Sequence, residues 1–173
     1  MPHRGHAQDS QTRPPTGAAP VDYSGAVYGS LLAASVVVGA GTLGSYPRLE
    51  LVVLLLGTAV VFWAAHVFSR LFGARMVQRA MSRQEVRRVC AEERPILEAA
   101  VPPAVAVAIG SLFGLDVQGT AWLALTVALA GQVGWATLAA VRAGAARRLI
   151  LVAGTANLLL GLVIVVFKVA LQH

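Results

Sequence analysis

Five polar side chains of this sequence stand inside or at the mouth of long apolar runs: Tyr28, His66, Glu98, Gln132 and Asn157. Imidazole titrates near neutral pH, and a nearby carboxylate favours its charged form. His66 and Glu98 together would therefore make a pair able to hold or relay a proton, or to bind a small cation. Tyr28 would add a phenol, and Gln132 and Asn157 would add amides from the other half of the chain. Polar groups surrounded by hydrocarbon are costly and turn toward a helix-bundle interior, where they pair or line a wet path. Two readings stay open at this stage. The five residues are a titrating site, or they are glue between helices, each contact being modest in energy.

Other chemistries leave no trace. No metalloprotease helix, nucleophile elbow, phosphate-binding glycine loop or paired carboxylate motif is present, so no enzyme and no cofactor are expected. Cys90 is the only cysteine, which excludes an intrachain disulfide and a thiolate zinc cluster. His3 and His6 lie in a proline-rich amino-terminal stretch without the spacing of a ligand set.

The elements that must position the five side chains follow from the apolar runs. Hydrophobic residues make up 57% of the 173 and charged residues 13%, a balance that a soluble domain of this size could not cover. About 20 apolar residues in helical form cross the bilayer core. The sequence predicts an all-α, polytopic transmembrane bundle of five helices, at 24–44, 49–71, 96–117, 120–141 and 149–171. Residues 1–22 are expected to be a disordered cytosolic tail, because they hold four prolines and no apolar run to offset the entropy of ordering. Residues 23–173 form one membrane domain.

Within the first span, Ser24, Tyr28, Leu31, Ser35, Gly39 and Thr42 recur at steps of three and four and define a small, weakly polar face. Gly25 and Gly29 beside it would allow another helix to approach closely and could support a homo-oligomer. Pro102 and Pro103 should kink or restart the third span. Asp116, Gln118 and Gly119 are expected to turn the chain into the fourth.

Between the second and third spans, 74–95 reads as a basic helical linker. Ser82 and Glu85 have capping-box spacing, Arg88 and Glu92 are four apart, and the apolar residues of the new helix form no clean stripe. Arg75, Arg79, Arg83, Arg87 and Arg88 are the candidate contacts for anionic lipid headgroups or a partner. Nucleic acid is not expected, since no aromatic residues interleave with the arginines. With the amino terminus inside and the carboxyl terminus outside, twelve of the fourteen basic residues fall on the cytosolic side, leaving Arg48 and Lys168 beyond the membrane. Lys168 should snorkel to that outer interface. In this orientation Tyr28, His66 and Glu98 all lie in the inner third and could meet. Thirteen of the fourteen are arginine, a bias that with abundant Ala, Val and Gly suits a GC-rich bacterial genome and an inner-membrane location.

The segments A-V-Y-G-S-L-L-A-A-S at 26–35 and V-F-W-A-A-H-V-F-S-R at 61–70 resemble a group of small actinobacterial-type multi-pass membrane proteins. In that group a Y-G pair opens the first helix and a W-x-A-H element closes the second. The resemblance implies a membrane protein, adds weight to Tyr28 and His66, and brings no activity with it. The expected role is a small transporter or channel-like subunit. The alternative is a non-transporting scaffold whose basic linker binds lipid or a partner.

Overall fold

The structure is a computed structural model that describes residues 23–40, 47–76 and 82–171. Six helices account for almost all of them: α1 (Ser24–Gly39), α2 (Pro47–Met76), α3 (Arg83–Glu92), α4 (Arg94–Ile109), α5 (Val117–Arg142) and α6 (Arg147–Leu171). Four stretches are long and apolar enough to cross a membrane: Pro47–Ala74, Arg83–Phe113, Val117–Arg142 and Arg147–Ala170. This is a multi-pass helical membrane bundle. The first predicted span, 24–44, is described only as the 16 residues of α1. At about 1.5 Å per residue they rise about 24 Å, less than the roughly 30 Å of a full crossing. The predicted tail at 1–22 lies outside the described residues, as do Thr42 and Arg79.

The helix boundaries have local causes. Ser82 caps α3 by accepting the Glu85 amide at 3.1 Å, as its spacing requires. Gly114, with φ of 67°, adopts the left-handed backbone that ends the helix before it, and Asp116 then caps α5 by accepting the Gly119 amide at 2.7 Å. Gln118 and Gly119, expected in that turn, are instead in the first turn of α5. An aspartate cap needs helical amides two and three residues on, so the turn shifts back to 114–116. Gly144, also at φ of 67°, makes the turn into α6.

The proline pair does not restart α4. The helix runs unbroken through Pro102 and Pro103, starting with Pro95 in its first turn, and continues as a 3-10 turn over Gly110–Phe113. Sixteen α-helical residues and four 3-10 residues together rise about 32 Å, enough for a crossing.

The centre is apolar and made mostly of small side chains. Ala33, Ala34 and Val37 of α1 meet Leu51 and Leu55 of α2, Ala104 and Val107 of α4, and Ala124, Leu125 and Ala128 of α5. Helix α4 packs on α1, α2 and α5, while α6 packs mainly on α5. Helix α1 reaches the centre because glycine lets it: a Cβ at Gly29 would stand 2.7 Å from the carbonyl oxygen of Ile96, and one at Gly25 would stand 3.2 Å from the Ile96 side chain. The glycine pair expected to serve an oligomer is spent inside the chain, against α4. The weakly polar face of α1 points the other way, with Tyr28, Ser35 and Gly39 uncovered.

Candidate functional site

Tyr28 and His66 do come together. Helices α1 and α2 run antiparallel, and their rings lie 5.2 Å apart at 51°, with Phe62 6.1 Å from Tyr28. His66 Nδ1 lies 2.9 Å from the Phe62 carbonyl oxygen, one turn back on the same helix. A carbonyl can only accept, so Nδ1 carries a proton, and whenever the ring is neutral Nε2 is left as a bare acceptor. Neither Nε2 nor the Tyr28 hydroxyl has a hydrogen-bond partner among the described residues. His66 is half-buried and Tyr28 is 38% exposed, on the outside of the bundle.

Glu98 does not join them. It is exposed and takes the Arg94 guanidinium at 3.1 Å, one turn back on α4. The face of α4 that touches α1 carries Pro95, Ile96 and Ala99, and the exposed Glu98 lies off it. Equal depth was legible from residue counting, but the angular position around α4 was not. The proposed His66–Glu98 titrating pair is therefore corrected to a Tyr28–His66 pair without a carboxylate.

Gln132 and Asn157 form a separate contact between α5 and α6. Gln132 is fully buried, and its Nε2 donates to the Asn157 backbone oxygen and to Oδ1, both at 3.3 Å. Asn157 Nδ2 donates to the Ala153 carbonyl at 2.9 Å. Gln132 Oε1 is buried without a partner. The five candidate residues thus divide into an outward-facing pair, a pair between α5 and α6, and an exposed ion pair. Among the described residues no three His, Cys, Asp or Glu side chains gather as a metal set would.

Within the basic linker, α3 packs against α2. Arg70, near the carboxyl-terminal end of α2, takes Glu92 at 2.7 Å and Glu93 at 2.8 Å through its two terminal nitrogens. Trp63 Nε1 donates to the Cys90 carbonyl at 3.2 Å. Val86, Val89 and Cys90, at steps of three and one, do share the inward face of α3, so the helix has the stripe that the sequence did not reveal. Arg88 is committed to Glu85 at 2.9 Å and to Glu92 at 3.5 Å. Arg83 and Arg87 are exposed, with no acidic partner among the described residues. Arg75 lies in α2, its side chain outside the described set.

Sequence reasoning missed three anchors. Tyr23 is buried between Trp135, stacked at 5.7 Å, and Arg142, which covers the ring at 5.4 Å and donates to its hydroxyl. At the opposite end, Arg48 donates to the Leu115 carbonyl at 2.5 Å and so ties α2 to the α4–α5 turn. Lys168, expected to snorkel outward, is 5% exposed and sits 4.9 Å over the Trp122 ring. Each joins residues far apart in the chain. For Tyr23 with Arg142 and Trp122 with Lys168 the only signal was an aromatic and a cation at equal depth, and the bond of Arg48 to a backbone carbonyl left none.

Searches of protein-family models, curated proteins and solved structures return no match to this chain.

Proposed function

We propose that this chain is a non-enzymatic membrane scaffold whose cytosolic face binds anionic phospholipid headgroups. The observation that carries the reading is the state of the carboxylates at the α3 end. Glu85, Glu92, Glu93 and Glu98 are all engaged by Arg88, Arg70 and Arg94. Arg83, Arg87, Arg147 and Arg148 remain exposed at that same end with no described acid to answer them. Such a surplus favours the cytosolic side, the inner leaflet of a bacterial plasma membrane, where each near-surface arginine contributes about 1 kcal/mol of attraction to anionic lipid. The rest of the bundle supports a scaffold over a transporter. Its centre is closed by apolar side chains, and its polar residues lie in separate places rather than along one path.

The test is lipid selectivity of the full chain, purified from a mixture of phosphatidylcholine and phosphatidylglycerol and read by native mass spectrometry. The expected result is enrichment of phosphatidylglycerol that falls at least about tenfold when Arg83, Arg87, Arg147 and Arg148 are all replaced by alanine. Equal enrichment in parent and variant would sink the proposal. So would proton-coupled flux in liposomes that depends on His66, which would restore the transporter.

A further inference from the structure

We propose that a second copy of this chain docks on the seam between α1 and α2, the Tyr28 hydroxyl of each copy donating to His66 Nε2 of the other. The inference is independent of what the basic face binds.

The seam carries two polar atoms at its lipid-facing surface that the chain itself leaves unpaired. Nδ1 of His66 is held by the Phe62 carbonyl, so its remaining nitrogen can only accept while the ring is neutral. The Tyr28 hydroxyl can donate. Within one copy the rings touch at 5.2 Å, yet hydroxyl and Nε2 make no bond. A donor and an acceptor side by side, each unsatisfied on the same surface, form a self-complementary pair of the kind a two-fold interface uses twice.

Membrane geometry strengthens the match. Copies inserted in the same sense are related by an axis along the bilayer normal, so only residues at equal depth can meet. Tyr28 and His66 are in ring contact on antiparallel helices and are therefore at one depth. Two reciprocal bonds follow without tilting either copy. Close approach is open along α1, where Ser35 is exposed and a Cβ at Gly39 would meet nothing within 4 Å. Unpaired polar groups facing hydrocarbon are costly, and interhelical hydrogen bonds are among the forces that hold membrane helices together.

The experiment measures association of the full chain by Förster transfer between labelled copies in liposomes, over a range of protein-to-lipid ratios. The parent should dimerise. Tyr28→Phe, which keeps the ring and hence the fold, should weaken association about 5- to 10-fold, and His66→Leu should do the same. Mixing the two variants is the decisive arm, because the Tyr28 hydroxyl on the His66→Leu chain can still reach His66 on the Tyr28→Phe chain. One of the two bonds returns, so the mixture should associate more tightly than either variant with itself. In a Cys90→Ser background, Ser35→Cys should cross-link under mild oxidation while Leu159→Cys, on the outer face of α6, should not. A parent that stays monomeric, Tyr28→Phe unchanged from the parent, or a mixture no tighter than its components would each overturn the proposal and leave Tyr28 as an interfacial aromatic residue.

Discussion

Helix α1 has no charged residue and α6 has none between Arg148 and Lys168, yet the bundle treats them in opposite ways. Helix α1 turns Ala26, Gly29, Ser30, Ala33, Ala34 and Val37 inward and packs against four other helices. Among the described side chains of α6, only Gly161 and Lys168 are buried, and Leu151, Val152, Leu159, Val166 and Phe167 all face outward. In water the larger apolar side chains would have gone inside. In lipid they gain nothing by doing so, because acyl chains are as apolar as leucine, and close approach of backbones decides which helix is central. Size, rather than hydropathy, sorts the helices.

Three substitutions bear on this contrast. The largest effect is expected at Gly29→Ala. The added Cβ would fall 2.7 Å from a backbone oxygen that no rotamer change can move, so α1 and α4 must separate. The loss should be about 1–3 kcal/mol, measured by reversible unfolding in mixed micelles. Unchanged stability would mean that α1 does not sit where described.

A smaller change is expected at Gln132→Leu. It removes two donor contacts of 3.3 Å but also the buried Oε1 that has no partner, and the two effects nearly cancel. Thermal unfolding should place the variant within about 1 kcal/mol of the parent. A loss of several kcal/mol would show that Gln132 holds something more than Asn157. The smallest effect belongs to Leu159→Ala, on a side chain 58% exposed on α6, where lipid replaces lipid-like surface. Chemical denaturation should register a change within about 0.5 kcal/mol. A clear destabilisation there would identify that face as a protein contact and erase the distinction from α1.

Much of the secondary structure was legible in the sequence because it rests on local chemistry. The Ser82 cap needs only its neighbours out to Glu85, and the ion pair of Arg88 with Glu92 needs only one turn. The length of an apolar run is likewise a property of the run. Of the two outcomes expected of the proline pair, the restart does not occur, because two missing amides are tolerated in a membrane bundle, where the neighbouring helices and the helix on either side hold the backbone. The face of α1 was grouped as Ser24, Tyr28, Leu31, Ser35, Gly39 and Thr42, of which Ser24, Tyr28, Ser35 and Gly39 are exposed, but the grouping did not say which way it pointed.

The candidate site shows the same limit. Counting residues from the arginines put Tyr28, His66 and Glu98 at one level, and two of them meet. Depth along a helix follows from chain position, whereas rotation about its axis depends on what packs beside it. Glu98 was turned away when Ile96 and Ala99 took the contact with Gly25 and Gly29.

By itself, the sequence determined that the chain is a helical membrane protein, which stretches form its apolar helices, and which end is rich in arginine. These are one-dimensional properties, set by residue type and spacing along the chain. Tertiary structure alone decided that α1 is central and α6 peripheral, that Tyr23 is clasped by Trp135 and Arg142, and that His66 faces Tyr28 instead of a carboxylate. Those outcomes depend on the rotation and closest approach of helices surrounded by lipid, where apolar character points no side chain inward and only shape and hydrogen bonding can.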